Sequence, residues 1–587
     1  MNYLFASLET GTSIDFIPVG LAYVAAALRQ TGRNVSSFFS PNHKNPTEAL
    51  IQKVQDENID VLCFGELSAN FPILRYTINC IKKKHPHVKI IVGGGIITAE
   101  PEFVAQHLAL DYGCVGYGEE TICEFAECLE TEGDFSIIKG LLYKDETGNI
   151  IINPHRPEPE SIDDISFPAL ELFGFEGRTH QGLPITGSRS CIYNCTFCFH
   201  PSGQRYRQRS LDSIFAEIDY WRSKYEIRQI TLADELFGNN SERVYEFCRR
   251  IKKLGISFNL NLRVDIVTDD LMKELSESGC TLVCYGIESL CQNVLDSMRK
   301  KITVGQIENA LKITRKYNLP IQASIIFGDS AETYEMALES LSWWVKNIQY
   351  GLSLNYITAY PGSALYKYGV ENGLIKDRLE FLEQRCPITN LSAMSDIEFI
   401  KLRRMVDLMR NMMGEPVTNQ RIEETDDGDI LFYADCPNCG SSNYINYSNV
   451  VNNAFNNFGV YLDFCDQCGS KMRIAQQYKD HLLENPYFEN FDYEGKKIAV
   501  WGVSLKASFR LATVKKMRKA VTVVIDRDYY NIKDEFWGFM VQSPEILPTV
   551  AFDILYIGSR DARKKILSMA KIILGADFDK KEIMMID

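Results

Sequence analysis

The first part of the chain alternates short apolar runs with longer amphipathic stretches. Strands are predicted at Asn2–Ala6, Ile59–Phe64 and Lys89–Val92, and an apolar helix at Val19–Arg29. Strands that alternate with helices indicate a parallel, doubly wound sheet, in which ligands lie beyond the carboxyl ends of the strands. Residues 1–135 should therefore form a nucleotide-fold domain. The loops that follow its strands all carry glycine and either form a ligand rim or are simple tight turns: Gly65–Asn70, Gly93–Thr98 and Gly116–Thr121.

The same alternation, with longer helices, returns at residues 183–395. Strands are predicted at five places: Ile227–Leu232, Phe258–Leu262, Leu282–Ile287, Ile321–Phe327 and Gly351–Thr358. A run of βα units predicts a full or partial α/β barrel whose active residues lie at the strand carboxyl ends. Carboxylates there can hold an ammonium group, and a carboxylate with a hydroxyl suits a ribose. The polar and glycine positions at these ends are Asp234, Glu235, Arg263, Glu288, Ser289, Gly328 and Glu332.

The segments between and after these two regions carry weaker patterns. Residues 136–182 are predicted to be a connector with a hairpin around Glu146–Asn149, followed by several prolines. Residues 396–430 are predicted to be a helical linker, with the helix at Asp396–Met413. Residues 490–587 return to βα alternation, with a helix at Ala507–Lys519, but lack the GxGxxG fingerprint. We therefore expect a C-terminal Rossmann-like domain for recognition or assembly.

Composition limits the function classes. A chain of 587 residues exceeds one hydrophobic core, so several domains are expected. The formal net charge of −14 argues against a nucleic-acid partner, because phosphate binding needs a basic face. The apolar run Phe16–Leu28 is too short to span a bilayer. Seventeen cysteines without a secretory leader predict a reducing, cytoplasmic location in which thiols serve as metal ligands or buried side chains.

Three cysteines lie close together just after the start of the predicted barrel. Cys191, Cys195 and Cys198 are spaced by four and three residues, so one loop can present three thiolates to one small object. Three thiolates leave one iron of a cubane iron–sulfur cluster open for chemistry. The alternative is a zinc site with His200 as the fourth ligand.

Two CxxC pairs near the C-terminus form a second metal pattern. Cys436 and Cys439 precede Cys465 and Cys468, and each pair is followed by glycine. This spacing predicts a closed, four-cysteine zinc ribbon within residues 431–475, with a structural or docking role. An auxiliary iron–sulfur cluster is the competing interpretation.

The segment from Ile185 to Ile375 resembles the core of the radical SAM superfamily. The motif Cys191, Cys195 and Cys198 matches its CxxxCxxC signature, and Tyr360–Tyr366 matches a later Pro-Gly segment with serine in place of threonine. The resemblance implies a 4Fe-4S cluster that binds S-adenosylmethionine and cleaves it to a 5′-deoxyadenosyl radical. It also implies the cofactor contacts: Phe197 in the loop, Asp234 and Glu235 at the methionine amino group, Arg263, Glu288 and Ser289, and Gly328 and Glu332 near the adenine.

The first domain resembles the cobalamin-binding domain that precedes many radical SAM enzymes. The resemblance rests on Pro18–Tyr23, Val92–Gly95 and Val115–Thr121. It implies cobalamin contacts at Gly93, Gly94, Gly95, Gly116, Gly118 and Glu119. The Asp-x-His-x-x-Gly motif of many cobalamin proteins is absent from the sequence, so no histidine ligand to cobalt is expected. A degenerate domain without the cofactor is the alternative.

Together, the two resemblances imply a cobalamin-dependent methyltransferase that acts on an unactivated carbon of a small biosynthetic substrate. An electron donor such as flavodoxin or ferredoxin is implied as a partner. A cobalamin-free cyclase or methylthiotransferase is the second enzymatic hypothesis. A non-catalytic cobalamin- or zinc-dependent interaction module is the hypothesis from a different class.

Overall fold

The computed structural model describes residues 1–8, 17–40, 45–176, 182–201, 203, 205–410, 415–424, 430–437, 439–446, 462–465, 467, 471–473, 495–502, 520–526, 535–536, 539–557 and 563–585. The chain divides into two compact units, residues 1–346 with 352–395 and residues 347–351 with 396–587. The predicted N-terminal domain, connector and core thus share one unit, and the second begins mainly at the predicted linker. The finer domain boundaries stay predictions.

The first unit begins with a seven-stranded sheet of order β2-β1-β3-β4-β5-β6-β7. Its strands are β1 (Asn2–Ser7), β2 (Asn34–Phe39), β3 (Val61–Gly65), β4 (Lys89–Gly93), β5 (Tyr112–Cys114), β6 (Leu141–Lys144) and β7 (Ile150–Ile152). Its helices are α1 (Val19–Gln30), α2 (Pro46–Asp56), α3 (Phe71–Lys84), α4 (Gly95–Ala99), α5 (Pro101–His107) and α6 (Glu119–Thr131). Strands β1 to β5 pair in parallel, which confirms the predicted Rossmann-like sheet.

The hairpin predicted in the connector is present, but it belongs to this sheet. Strands β6 and β7 pair antiparallel with each other, and β6 also pairs antiparallel with β5. The apolar side chains of Leu141 and Leu142 are fully buried, so the hairpin extends the core of the first domain. The sequence pattern identified the hairpin but could not show which sheet it joins.

The second sheet of the first unit is parallel throughout, with order β15-β14-β13-β12-β11-β8. Its strands are β8 (Leu183–Ile185), β11 (Gln229–Leu232), β12 (Ser257–Leu262), β13 (Cys280–Glu288), β14 (Ile321–Phe327) and β15 (Ser353–Tyr356), and a short antiparallel pair is formed by β9 (Ser188–Arg189) and β10 (Arg207–Gln208). The helices are α7 (Leu211–Arg222), α8 (Ser241–Leu254), α9 (Asp269–Glu277), α10 (Gln292–Ser297), α11 (Val304–Lys316), α12 (Tyr334–Lys346), α13 (Ala364–Glu371) and α14 (Arg378–Glu383). The sheet is open between β8 and β15, so the partial form of the predicted barrel is the one observed.

The second unit contains helix α15 (Asp396–Arg410) and three small sheets. The first two comprise β16 (Glu415–Pro416), β17 (Thr418–Glu424), β18 (Ile430–Asp435), β19 (Ser442–Asn446), β20 (Leu462–Phe464) and β21 (Lys471–Arg473). The third has order β24-β25-β23-β22-β26-β27 and comprises β22 (Ile498–Trp501), β23 (Val521–Ile525), β24 (Glu535–Phe536), β25 (Phe539–Gln542), β26 (Ile554–Ile557) and β27 (Glu582–Met585), with helix α16 (Arg563–Leu574). The predicted helix Ala507–Lys519 lies outside the described residues. None of the helices in the described ranges is long and apolar enough to cross a bilayer.

Candidate active site

The three-cysteine loop is closed at its base by the β9–β10 pair. Arg189 lies opposite Arg207 in this pair. Just after β9, Ser190 adopts a left-handed φ of 65°, and its hydroxyl donates to the carbonyl of Gly203 at 2.8 Å. Farther along, Thr196 donates its N–H to Met298 at 3.1 Å and accepts from the N–H of Leu365 at 2.8 Å. The loop is therefore fixed at its base and at its centre.

The three thiols of this loop are partly buried. Burial raises the pKa of Cys191 and Cys195, and raises that of Cys198 to about 12, so the thiolates need a positive partner such as iron. Zn–S bonds of about 2.3 Å would keep all thiolates of one ion within about 4.6 Å of each other. In the described parts of the chain, one group of three side chains has all its potential metal-ligand atoms within 4.8 Å of one another, and it is Cys436, Cys439 and Cys465. The loop thiols are not in such a group, so their arrangement does not match a zinc site.

His200 does not complete a zinc site. Its Nδ1 contacts Glu235 Oε2, and its Nε2 lies 3.2 Å from the carbonyl oxygen of Tyr193. The hydrogen bond to Glu235 raises the pKa of His200. Both ring nitrogens thus face acceptors, which favours an imidazolium that cannot ligate a metal. His200 instead orients Glu235 beside the cluster loop.

The two adjacent carboxylates after β11 have different environments. Asp234 is 2% exposed and accepts hydrogen bonds from the N–H and the hydroxyl of Ser188, so it lies behind β9. Burial raises the pKa of Asp234 to about 7. Glu235 is more open, with 35% of its side chain exposed. The expectation that both hold an amino group is therefore corrected for Asp234, which positions the loop through Ser188. Glu235 stays the candidate for that contact.

A buried ion pair lies beside the cysteine loop. Lys300 Nζ contacts Glu288 Oε1 at 2.8 Å, and both side chains are 12–13% exposed. Glu288 has a left-handed φ of 66°. A Cβ at Gly286 would lie 2.5 Å from Lys300 Nζ, so glycine makes room for the pair. Lys300 Nζ is also 5.9 Å from the ring centroid of Phe197.

Arg263 fastens this loop from the other side. Its guanidinium lies 3.6 Å from the ring centroid of Tyr193 and donates to the carbonyls of Lys300 and Lys301 at 3.1 and 3.0 Å. It also pairs with Asp265 at 3.0 Å. Arg263 is thus a brace between the cysteine loop and the segment after α10, a contact that strand-end position alone did not indicate.

Two other predicted contacts have structural roles. Ser289 is 1% exposed; its hydroxyl accepts from the N–H of Cys291 at 3.1 Å and lies 3.2 Å from that of Ser340, so it is turned away from the strand ends. Glu332 is fully buried and accepts the N–H of Gly328 at 2.6 Å. These are corrections to the expected ribose and adenine contacts: Ser289 holds the turn that precedes α10, and Glu332 shapes the loop after β14.

The glycine rim of the first domain faces the cysteine loop. Gly94 has a φ of 83°, and a Cβ there would lie 2.7 Å from the carbonyl oxygen of Glu66. The position of a Cβ at Gly95 is 3.8 Å from Pro201 and 3.9 Å from Phe199, both of which follow Cys198 closely. Gly93 accepts the N–H of Glu66 through its carbonyl at 3.3 Å. The rim after β4 is therefore in contact with the cluster loop.

The rim after β5 divides into an open and a packed part. Gly116 has a φ of 82°, and no atom lies within 4 Å of the Cβ position, so a large ligand can approach its backbone. Gly118 would place a Cβ 2.9 Å from Val24, and Glu119 pairs with Arg189. Gly116 thus leaves room for a bulky cofactor such as cobalamin, and Gly94 lets the loop after β4 pack closely on Glu66. Gly118 instead packs on α1, and Glu119 joins the first domain to β9.

Comparisons with known proteins agree with both halves of this site. The family model for the B12 binding domain matches residues 12–126, and that for the radical SAM superfamily matches residues 185–343. An uncharacterized methyltransferase of Pyrococcus horikoshii is 29% identical over 370 residues, which cover 61% of this chain and 79% of that one. The bacteriochlorophyllide d C-8(2)-methyltransferase of Chlorobaculum tepidum is 29% identical over 212 residues, 33% of this chain and 46% of that one.

A solved structure shares the fold. The radical S-adenosylmethionine methyltransferase TsrM from Kitasatospora setae, with cobalamin and a [4Fe-4S] cluster bound, matches with a TM-score of 0.53 at 16% identity. The match covers 64% of this chain and 76% of that one. At this identity, the likeness supports the arrangement of domains and leaves the substrate open.

Proposed function

Because the chain belongs to the radical SAM superfamily, in the branch with an N-terminal cobalamin-binding domain, we propose that it is a cobalamin-dependent methyltransferase acting on an unactivated carbon. One observation carries the proposal: the Cys191–Cys198 loop and the Gly95 rim meet through Phe199 and Pro201. The positions implied for the two cofactors therefore lie at one opening of the first unit. We call this opening, between the Cys191–Cys198 loop and the Gly95 rim, the mouth.

The bound groups supply the difficult chemistry, namely reductive cleavage of S-adenosylmethionine and a transferable methyl group. The chain supplies position and charge. Cys191, Cys195 and Cys198 hold the cluster, and Glu235, oriented by His200, accepts hydrogen bonds from the amino group of the methionine. Lys300 places an ammonium group beside the loop, and its pairing with Glu288 leaves the two side chains together neutral.

Phe199 sets the distance between the two halves of the mouth. It lies between Gly95 on the rim and Gly362 before α13, and Gly362 leaves room for its ring. Aromatic packing at this point excludes water between the loop and the rim. A small reducing protein such as flavodoxin or ferredoxin is our proposal for the electron donor.

The cyclase and methylthiotransferase alternatives receive less support. A second cluster would need several N-terminal thiols in one place, but Cys63, Cys114 and Cys128 are buried within two strands and a helix. Within the described residues, these thiols form no convergent ligand group. The methyltransferase relatives favour methyl transfer.

The second unit carries a separate metal site, which we assign to structural zinc. Cys436, Cys439 and Cys465 have thiols within 4.8 Å of one another, and the last two are 3.6 Å apart, the spacing of a tetrahedral ion. Cys468, the expected fourth ligand, lies outside the described residues. A closed site of this kind stabilises its fold and takes no part in catalysis.

Metal counts and product analysis test the proposal. The anaerobically reconstituted protein should hold about four irons, one cobalt and one zinc per chain. With S-adenosylmethionine and a reductant it should release 5′-deoxyadenosine, and with the correct substrate also S-adenosylhomocysteine. Iron without cobalt would contradict the cobalamin part alone, and release of 5′-deoxyadenosine without S-adenosylhomocysteine would favour a cyclase.

A further inference from the structure

The sheet β11–β15 has two faces of opposite character. One face is apolar and packs on helices: Phe258 of β12 contacts Phe247 of α8 at 5.2 Å between ring centroids. Similarly, the hydroxyl of Tyr285 in β13 lies 2.7 Å from that of Thr314 in α11. These side chains are buried at alternate positions of each strand.

The positions between them point to the other face, which we call the open face. They are partly or fully exposed and mostly polar but uncharged: Thr231, Asn259, Asn261, Gln322, Ser324 and Asn355. Parallel sheets that are covered on both faces have near-continuous apolar strands. The alternation of buried and partly exposed positions in this parallel sheet therefore indicates a face that is not covered by helices and can border a polar ligand.

The open face is linked by side-chain hydrogen bonds across its strands. Asn259 donates to Thr231 at 3.2 Å, and Asn355 donates to Ser324 at 3.2 Å. A carboxamide has two donors and two acceptor positions, and the bond to Thr231 uses one donor of Asn259. The face thus offers an array of donors and acceptors with fixed geometry.

Charge is almost absent from this surface. Among the described strand positions that share the open face, the charged residue is Glu288, and Lys300 neutralises it at 2.8 Å. The face therefore has no strand-borne arginine or lysine for a phosphate or carboxylate group, and too few apolar side chains for a hydrocarbon surface.

The open face leads directly to the mouth. Asn261 donates its amide to the carbonyl of Asp234 at 2.7 Å and lies in register with Cys284 on the next strand. A radical generated at the cluster can abstract hydrogen only from a carbon in near contact. The part of the substrate that reaches below the mouth must therefore lie on the open face.

We propose, on the basis of the function proposed above, that this face binds a neutral substrate unit bearing several hydroxyl groups, such as a sugar ring. Hydroxyls both donate and accept, which matches the amide and hydroxyl array. A site built for hydrogen bonds discriminates strongly against ligands that leave its polar groups unpaired.

Ligand binding to the holoenzyme tests this assignment without turnover. The anaerobic protein with S-adenosylmethionine is melted in the presence of neutral sugars and nucleosides (glucose, N-acetylglucosamine, maltotriose and uridine), the dianion protoporphyrin IX, or squalene in detergent micelles. At least one of the neutral compounds should raise the melting temperature, and porphyrin and squalene should not. Gln322→Met should weaken that binding about tenfold, because one hydrogen-bonding group is lost. The matched control is Gln52→Met on the exposed surface of α2, which should leave the binding unchanged.

Each other outcome overturns the assignment. Binding of porphyrin or squalene, no response to any neutral compound, or equal binding by the Gln322→Met variant would refute it. Failure of the proposed function is seen separately and without any of these compounds, as iron without cobalt after reconstitution or as no release of 5′-deoxyadenosine from S-adenosylmethionine and a reductant.

Discussion

Gly362 provides the sharpest mechanical test of the mouth. It has a φ of 91°, and an added Cβ would lie 2.4 and 2.5 Å from Cδ2 and Cε2 of Phe199. Because Phe199 directly follows the ligand Cys198, Gly362→Ala should displace the cluster loop. A left-handed backbone costs a non-glycine residue about 1–3 kcal/mol. Overpacking adds about 1–3 kcal/mol.

A matched variant separates the two costs. Gly373 also has a positive φ, of 66°, but no atom lies within 4 Å of its Cβ position. Gly373→Ala should therefore incur the backbone cost alone. Iron content after anaerobic reconstitution, together with the melting temperature, measures the difference.

We expect Gly362→Ala to bind less iron and melt lower than Gly373→Ala. The double variant Phe199→Leu with Gly362→Ala should recover part of the loss, since the smaller side chain leaves space for the Cβ. If the two glycine variants bind equal iron and melt together, Phe199 does not couple the loop to the mouth as described.

Three further predictions concern charge and metal. Lys300→Met leaves Glu288 buried without its cation and should lower the free energy of unfolding by about 3–5 kcal/mol. Adding Glu288→Gln to this variant should restore the loss, and equal melting temperatures of the single and double variants would contradict the pairing. The pKa of Asp234 is raised to about 7 from 3.8, so the folded state binds more protons than the unfolded state and loses stability as pH rises from about 4 to about 7. Asp234→Asn should flatten this pH dependence and raise the melting temperature at pH 8 relative to wild type. Parallel pH profiles of the two proteins would refute the burial argument. Cys436→Ser should remove one zinc per chain and leave iron unchanged, whereas Cys80→Ser should alter neither; retention of zinc by the first variant would contradict the site.

The alternating pattern predicted the architecture because it follows directly from burial. In β12, Phe258, Leu260 and Leu262 are buried and the residues between them are not, so both the strand and its faces are readable in sequence. The cysteine spacing likewise predicts the loop, because its ligands are local. The buried hydrogen bonds of Ser289 were missed because a turn-forming serine and a ligand-binding serine look the same after a strand.

Contacts between distant segments could not be predicted from spacing. Glu119 and Arg189 are 70 residues apart and meet only because the first domain lies against β9. The position of Asp234 behind β9 depends on a two-residue strand, which has no periodicity to detect. The burial of Lys300 against Glu288 depends on the turn after α10, which sequence spacing does not reveal.

The central claim is that Cys191, Cys195 and Cys198 hold the catalytic cluster beside a cobalamin rim. It is tested most directly by 5′-deoxyadenosine formation in reconstituted wild type and Cys195→Ala, with cobalt counted in both. We predict that wild type forms the product and that the variant forms none while retaining its cobalt. Product formation by Cys195→Ala, or loss of cobalt from a variant that keeps its fold, would contradict the account.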